Sequence, residues 1–202
     1  MENTPLTKRR PFTPDDVVIL MVDYQSGIAK FAQSQPIKEV IDNALKLLAL
    51  AKVYDIPVIF TSSEEALERK GKIFNVLQTP LPDVYAHRVK RTGVIDAMTD
   101  PDFRKQINQT GRQNLVIGGI STEECVSLPA ISAQLAGYNV SVIADACASY
   151  SSLTDNIQFS RLLARQIDVT TIRQFIADML GDWSSEQAQA YQQLSTQLLA
   201  TN

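Results

Sequence analysis

Apolar residues along this chain fall into two alternating patterns. Unbroken runs at Val17-Val18-Ile19-Leu20-Met21-Val22, Pro57-Val58-Ile59-Phe60-Thr61, Leu115-Val116-Ile117 and Val140-Ser141-Val142-Ile143-Ala144 alternate with stretches of helical spacing, such as Ile41, Ala44, Leu45, Leu48 and Ala51. Continuous runs of this length suit strands covered on both faces, and the helical stretches supply the cover. Shorter segments from Tyr85 to Val89 and from Asp168 to Ile172 bring the expected strands to six, with further helices expected over 101–110, after Cys125, and over 153–165. The alternation predicts an α/β fold: a three-layer α/β/α arrangement around a six-stranded parallel sheet.

Three segments depart from this rhythm. The polar stretch from Ser62 to Pro82 has weak periodicity and reads as a long, partly helical loop, the best candidate for a lid. Pro129 should kink the helix after Cys125, and Gly137 should end it. In the tail, Ser184 with Gln187 fits a capping box for a helix over 184–199, on which Ala188, Tyr191, Leu194 and Leu198 make a narrow apolar stripe. That stripe must bury either against its own domain or against a second subunit.

Composition narrows the functional classes. With 202 residues, 45% of them hydrophobic, and no Gly/Ser-rich linker, the chain is expected to form a single domain over 1–202. A net charge of −3, with no basic run longer than Lys8-Arg9-Arg10, gives a nucleic-acid partner little support, and those three residues read as a solvated arm. No apolar stretch approaches the ~20 residues of a membrane span and no signal peptide is evident, so the expected location is cytoplasmic. Two cysteines suit a reducing compartment, and the single histidine, His87, excludes a multi-histidine metal site. A Ser-His-Asp or Cys-His mechanism would have to use His87.

Cys125 carries the most chemical information. It follows the Leu115–Ile117 run and Gly118-Gly119, in Ser121-Thr122-Glu123-Glu124, which fits the S-x-x-E pattern of a capping box. In a first helical turn the free N–H groups favour thiolate, whereas Glu123 and Glu124 oppose it, so a fixed cation is required. Asp23 follows the first strand and Arg91 the third. All three residues therefore fall at carboxyl ends of strands, where open parallel sheets form their sites. Cys147, with no cation flanking it, reads as a packing residue.

The elements Val22-Asp23-Tyr24-Gln25, the basic segment ending in Asp96-Ala97-Met98, and Gly119-Ile120-Ser121-Thr122-Glu123-Glu124-Cys125-Val126 together resemble the three signatures of the isochorismatase-like cysteine hydrolases, over about residues 12 to 180. The resemblance implies Cys125 as nucleophile, Asp23 as general base, Gln25 as a substrate-binding residue, and a cis Ile120–Ser121 peptide that presents the Ser121 and Cys125 N–H groups as an oxyanion hole. The family lysine falls at Arg91, with Lys90 one residue early. An arginine stays protonated at working pH, so its implied role is electrostatic: to hold Cys125 as thiolate with a depressed pKa, in contact with both Asp23 and Cys125. Arg91 and the Asp182-Trp183 tail resemble the octameric YcaC-like branch, which implies a homo-oligomer with the 184–199 helix as a contact. The Asp-x-His pattern of the metal-dependent relatives is absent, so neither metal nor cofactor is implied. The expected substrate is a small amide, carbamoyl or acyl compound. The alternatives are a catalytically silent assembly protein of the same fold, and a nucleotide-binding doubly wound domain, which lacks G-x-G-x-x-G after the first strand.

Overall fold

The computed structural model describes residues 12–67 and 69–201; the Lys8-Arg9-Arg10 cluster lies outside them. One parallel sheet contains β1 (Val17–Val22), β2 (Val58–Ser63), β3 (Val89–Arg91), β4 (Asn114–Ile120), β5 (Asn139–Ala148) and β6 (Asp168–Thr170), in the spatial order β3-β2-β1-β4-β5-β6. The helices are α1 (Ser26–Ala29), α2 (Ile37–Tyr54), α3 (Asn75–Gln78), α4 (Pro82–Ala86), α5 (Pro101–Gln109), α6 (Ser127–Leu135), α7 (Ser152–Ala164), α8 (Ile172–Leu180) and α9 (Glu186–Leu199).

Strand β1 is buried along its whole length because it feeds two cores. Val17, Ile19 and Met21 join the apolar cluster built by α2, α8 and α9, while Val18, Leu20 and Val22 join the one containing Phe103 and Ile107 of α5, Ala130 and Ala133 of α6, and Leu162 of α7. This is the two-residue period of a strand, expressed once on each face. Helix α2 contributes Val40, Ile41, Leu45, Leu47, Leu48 and Leu50, all essentially removed from water. Each such side chain stabilises the fold by about 1.5–3 kcal/mol relative to exposure.

The expected strands are found, and their carboxyl ends run further than apolar content indicates. β2 continues through Ser62 and Ser63, β4 through Gly119 and Ile120, and β5 through Ala146, Cys147 and Ala148. Apart from Ile120, which joins the core, these extensions are small or polar. The third strand begins at Val89 rather than Tyr85, since Pro82 starts a helical turn that takes Tyr85 into α4. β6 stops at Thr170, where the Thr171 side chain accepts from Gln174 N–H and opens α8, so Ile172 belongs to a helix and not to the strand.

Two tail expectations change. Ser185, not Ser184, caps α9, accepting from Ala188 N–H. The stripe of Ala188, Tyr191, Leu194 and Leu198 lies against α2 in its own chain. The 62–82 stretch is also more tightly held than a lid: Ser26 N–H donates to Lys72 O, Gly27 N–H to Lys70 O and Phe74 N–H to Tyr24 O, at 2.9, 3.0 and 3.0 Å. It is a fixed wall. Among the described residues no helix is long and apolar enough to cross a membrane.

Candidate active site

Strand order reverses between β1 and β4, whose chain connections lead to opposite edges of the sheet. The crevice outside such a switch point is where doubly wound sheets bind ligands. Asp23 immediately follows β1, and Cys125 follows β4 by five residues. Arg91 ends β3, two strands from β1, and reaches Asp23 across the end of β2. On the way its Nε donates to Thr61 Oγ1 at 2.9 Å.

Asp23 lies in left-handed backbone at φ 51°, a conformation that aspartate tolerates better than most residues. Its N–H donates to Thr61 O at 3.0 Å, so the turn leaves β1 while still tied to β2. The carboxylate is completely buried. Oδ2 accepts from the Arg91 guanidinium, whose other terminal nitrogen donates to Val94 O and Ile95 O. Oδ1 has no well-formed hydrogen bond, and the neighbouring Cys125 thiol is the group that interacts with this carboxylate. Burial lifts the Asp23 pKa above the ordinary carboxylate value, with the guanidinium pulling the other way. Lys90 points outward and is exposed, as the alternation along β3 requires.

The backbone at Cys125 is a π-helical turn, Thr122–Val126, in which Val126 N–H donates to Ser121 O at 3.1 Å. The Ser121 side chain makes no capping bond, so the expected capping box is absent. Pro129 is the third residue of α6, which follows the π-helical turn without a break and continues to Leu135. The Ile120–Ser121 peptide is cis. Behind this turn, a Cβ on Gly118 would lie 2.5 Å from the Tyr24 hydroxyl, which crosses β4 to donate to Ala146 O, and one on Gly119 would lie 2.4 Å from Val22 O. Both glycines serve close approach between neighbouring chain segments.

Cys125 is 8% exposed, and its protonation corrects the expectation of a depressed pKa. Burial raises the thiol well above its usual value and the Asp23 carboxylate adds to the rise, whereas the Ser121 N–H, directed at the sulfur, and the more distant Arg91 lower it. Burial and the carboxylate both favour the thiol form of Cys125 beside Asp23. Cys147 is raised too, by burial first, and its thiol donates to Ile143 O at 3.2 Å. Access distinguishes the two cysteines, not titration.

A cavity of about 310 Å³ opens onto Cys125 and is lined also by Ser121, Glu124, Lys70, Arg69, Phe31 and Tyr150. Gln25 does not line it. Its side chain is fully buried, donating to Ser63 O and Gly71 O and accepting from Ser63 N–H, so the expected substrate contact is replaced by a clamp between β2 and the 64–72 loop. His87 lies at the end of α4, its Nδ1 against Asp83 O, and is not part of the cavity lining. Arg69, Lys70, Phe31 and Tyr150 were not legible as site residues. They sit on loops, and only the left-handed Gly71 (φ 67°) marks the place where the loop turns back to the site.

Residues 17–174 match the isochorismatase domain family. The chain is 30% identical to the probable hydrolase YcaC of Escherichia coli K12, over 85% of this chain and 81% of that one. It is 28% identical to isochorismatase domain-containing protein 2 of Xenopus laevis, over 82% of this chain and 76% of that protein. Among solved structures, YcaC from Pseudomonas aeruginosa, with hexane-2,5-diol and covalent acrylamide, superposes with a TM-score of 0.86 at 26% identity, covering 98% of this chain and 96% of that one. The E. coli YcaC structure, described as an octameric hydrolase of unknown specificity, superposes with a TM-score of 0.84 at 27% identity over 99% and 100% of the two chains. The chain therefore belongs to the isochorismatase family, on the side of its YcaC-like hydrolases.

Proposed function

We propose that this protein is a cysteine hydrolase that cleaves a small amide, carbamoyl or acyl substrate, with Cys125 as nucleophile, Asp23 as general base and Arg91 as the cation that holds Asp23. The observation that carries this reading is the buried Asp23 carboxylate, paired with Arg91 and beside the Cys125 thiol, which itself lines the cavity. The Cys125 thiol adds to the substrate carbonyl, forming the C–S bond as its proton passes to Asp23. The carbonyl electron pair becomes an oxyanion facing the amides of Ser121 and Cys125. Its collapse breaks the bond to the leaving amine, which takes the proton from Asp23. Water then attacks the thioester, giving Asp23 a proton that returns to sulfur as the C–S bond breaks. A carboxylate whose pKa burial raises is a better proton acceptor for this repeated exchange than an exposed one.

Two features of the relatives support the reading. Acrylamide, carried covalently by P. aeruginosa YcaC, is a soft electrophile of the kind thiols add to. The octameric E. coli relative supports a homo-oligomer here, in which surfaces other than the internally packed stripe of α9 supply the contacts. Ammonia release from a panel of small amides and carbamates, compared with Cys125→Ala, tests the proposal: activity lost in the variant upholds it. Unchanged activity in the variant, or a wild type silent across the panel with Cys125 inert to iodoacetamide, favours the assembly-protein alternative.

A further inference from the structure

We infer that the substrate of this site carries a carboxylate, held by Lys70 and Arg69 while its reacting carbonyl lies at Cys125. The inference rests on the cysteine-hydrolase reading and adds a substrate class to it. Lys70 and Arg69 line the same cavity as Cys125. They are delivered there by a backbone with little freedom: Gly27 N–H donates to Lys70 O at 3.0 Å, Gln25 Nε2 to Gly71 O at 2.7 Å, and a Cβ on Gly27 would lie 2.0 Å from Arg69 O. A loop pinned this way fixes where its two cations enter the pocket.

Their charge is only partly compensated. Among the described residues neither cationic group makes a hydrogen bond, and their shared ion-pair partner is the single Glu64 carboxylate, 3.6 Å from Lys70 Nζ and 4.0 Å from an Arg69 nitrogen. Glu64 is itself held outside the cavity lining, its N–H on Arg91 O and its carboxyl against Gly93. One carboxylate between two cations leaves net positive charge and unused donors on two residues that line the cavity, with Lys70 the more enclosed of the pair. Lys70 is near enough to Asp23 to favour that carboxylate's ionised form, which puts its field at the reacting centre. The acidic residue in the lining, Glu124, belongs to the Cys125 turn and not to this loop. It would repel a carboxylate from its own side and so orient the ligand. The rest of the lining, with Ile28, Phe31, Ala32 and Tyr150, offers apolar surface, and the volume is at the small end of ligand pockets. A compact amide with one anionic end fits this division of charge.

Iodoacetate and iodoacetamide form a matched anionic and neutral pair that reports on the pocket without turnover. The ratio of their rates at Cys125, read by peptide mass mapping on the full chain, is expected to exceed that of free cysteine in the same buffer. It should fall about fivefold in Lys70→Ala, further in the Lys70→Ala, Arg69→Ala double variant, and toward the free-cysteine value in 1 M salt. Lys90→Ala, whose side chain is outside the cavity, should leave it unchanged. Alkylation of Cys125 with the free-cysteine ratio, or a ratio indifferent to Lys70 and Arg69, overturns the carboxylate inference and leaves the hydrolase reading standing. A Cys125 inert to both reagents, in a protein also silent across the amide panel, overturns the two together.

Discussion

Arg91 reaches Asp23 from two strands away, donating through Nε to Thr61 of β2 and closing on the carboxylate with a terminal nitrogen. The arginine therefore pairs directly with the Asp23 carboxylate and acts on Cys125 only from a distance. Arg91 is buried, and its Nε and both terminal nitrogens already have acceptors in Thr61, Val94, Ile95 and Asp23. The position suits arginine, whose permanent charge and rigid fork meet a fixed acceptor on each side.

Asp23→Asn should separate reactivity from turnover. The carboxylate raises the Cys125 pKa, so removing it, with Arg91 left uncompensated nearby, lowers that pKa and speeds iodoacetamide alkylation at pH 7 by on the order of tenfold. Hydrolysis should fall by about 10²–10⁴ for want of a base. Parallel alkylation and ammonia-release assays check both signs.

The pH dependence follows from the raised Asp23 pKa. Activity requires the ionised carboxylate, so kcat/KM should fall on the acid side through a pKa above the ordinary value of about 3.9. Arg91 is the largest influence lowering that pKa, and Arg91→Ala should move the acid limb to still higher pH. The same variant leaves a buried carboxylate unpaired and should cost about 3–5 kcal/mol in urea unfolding. Lys90→Ala should stay within about 0.5 kcal/mol of wild type.

Central strands and the Asp23, Cys125 and Arg91 positions were readable because burial on both faces and placement after a strand leave a one-dimensional signature. Arg91 was separated from Lys90 by its distance from Asp96-Ala97 in the family pattern, and the structure adds the reason: along β3 the two-residue period turns Arg91 inward and Lys90 outward. What escaped was set by contacts distant in sequence. Gln25 looks like a site residue from its neighbours, yet its partners are Ser63 and Gly71, 38 and 46 residues away. The Cys125 charge state depended on how deeply the turn is buried and on which face Asp23 presents, neither of which is written in Glu123-Glu124-Cys125. Thr171, opening α8, was hidden because strand and helix run together without a break.

Gly118→Ala should destabilise the protein by about 1–3 kcal/mol, because the new methyl meets the Tyr24 hydroxyl at 2.5 Å. Combining it with Tyr24→Phe removes the colliding oxygen, so the double variant should lose less than the sum of the single losses. Equilibrium denaturation of the four proteins of this cycle gives the coupling.

Sedimentation of the full chain should show a homo-oligomer. Truncation after Asp182 removes α9 and uncovers the α2 surface that Ala188, Tyr191 and Leu194 cover. The truncated chain should accordingly lose thermal stability, and not merely dissociate. A truncated chain that sediments as a stable monomer with an unchanged melting temperature would instead assign α9 to assembly.

The central claim, that hydrolysis passes through Cys125, is tested most directly by acid-quenching the wild-type protein during turnover of any responsive amide or ester and mapping the acyl group by mass spectrometry. The account predicts a thioester on the peptide containing Cys125, none on Cys147, and no product from Cys125→Ala. Turnover that continues in Cys125→Ala, or an acyl group mapped to another residue, would contradict it.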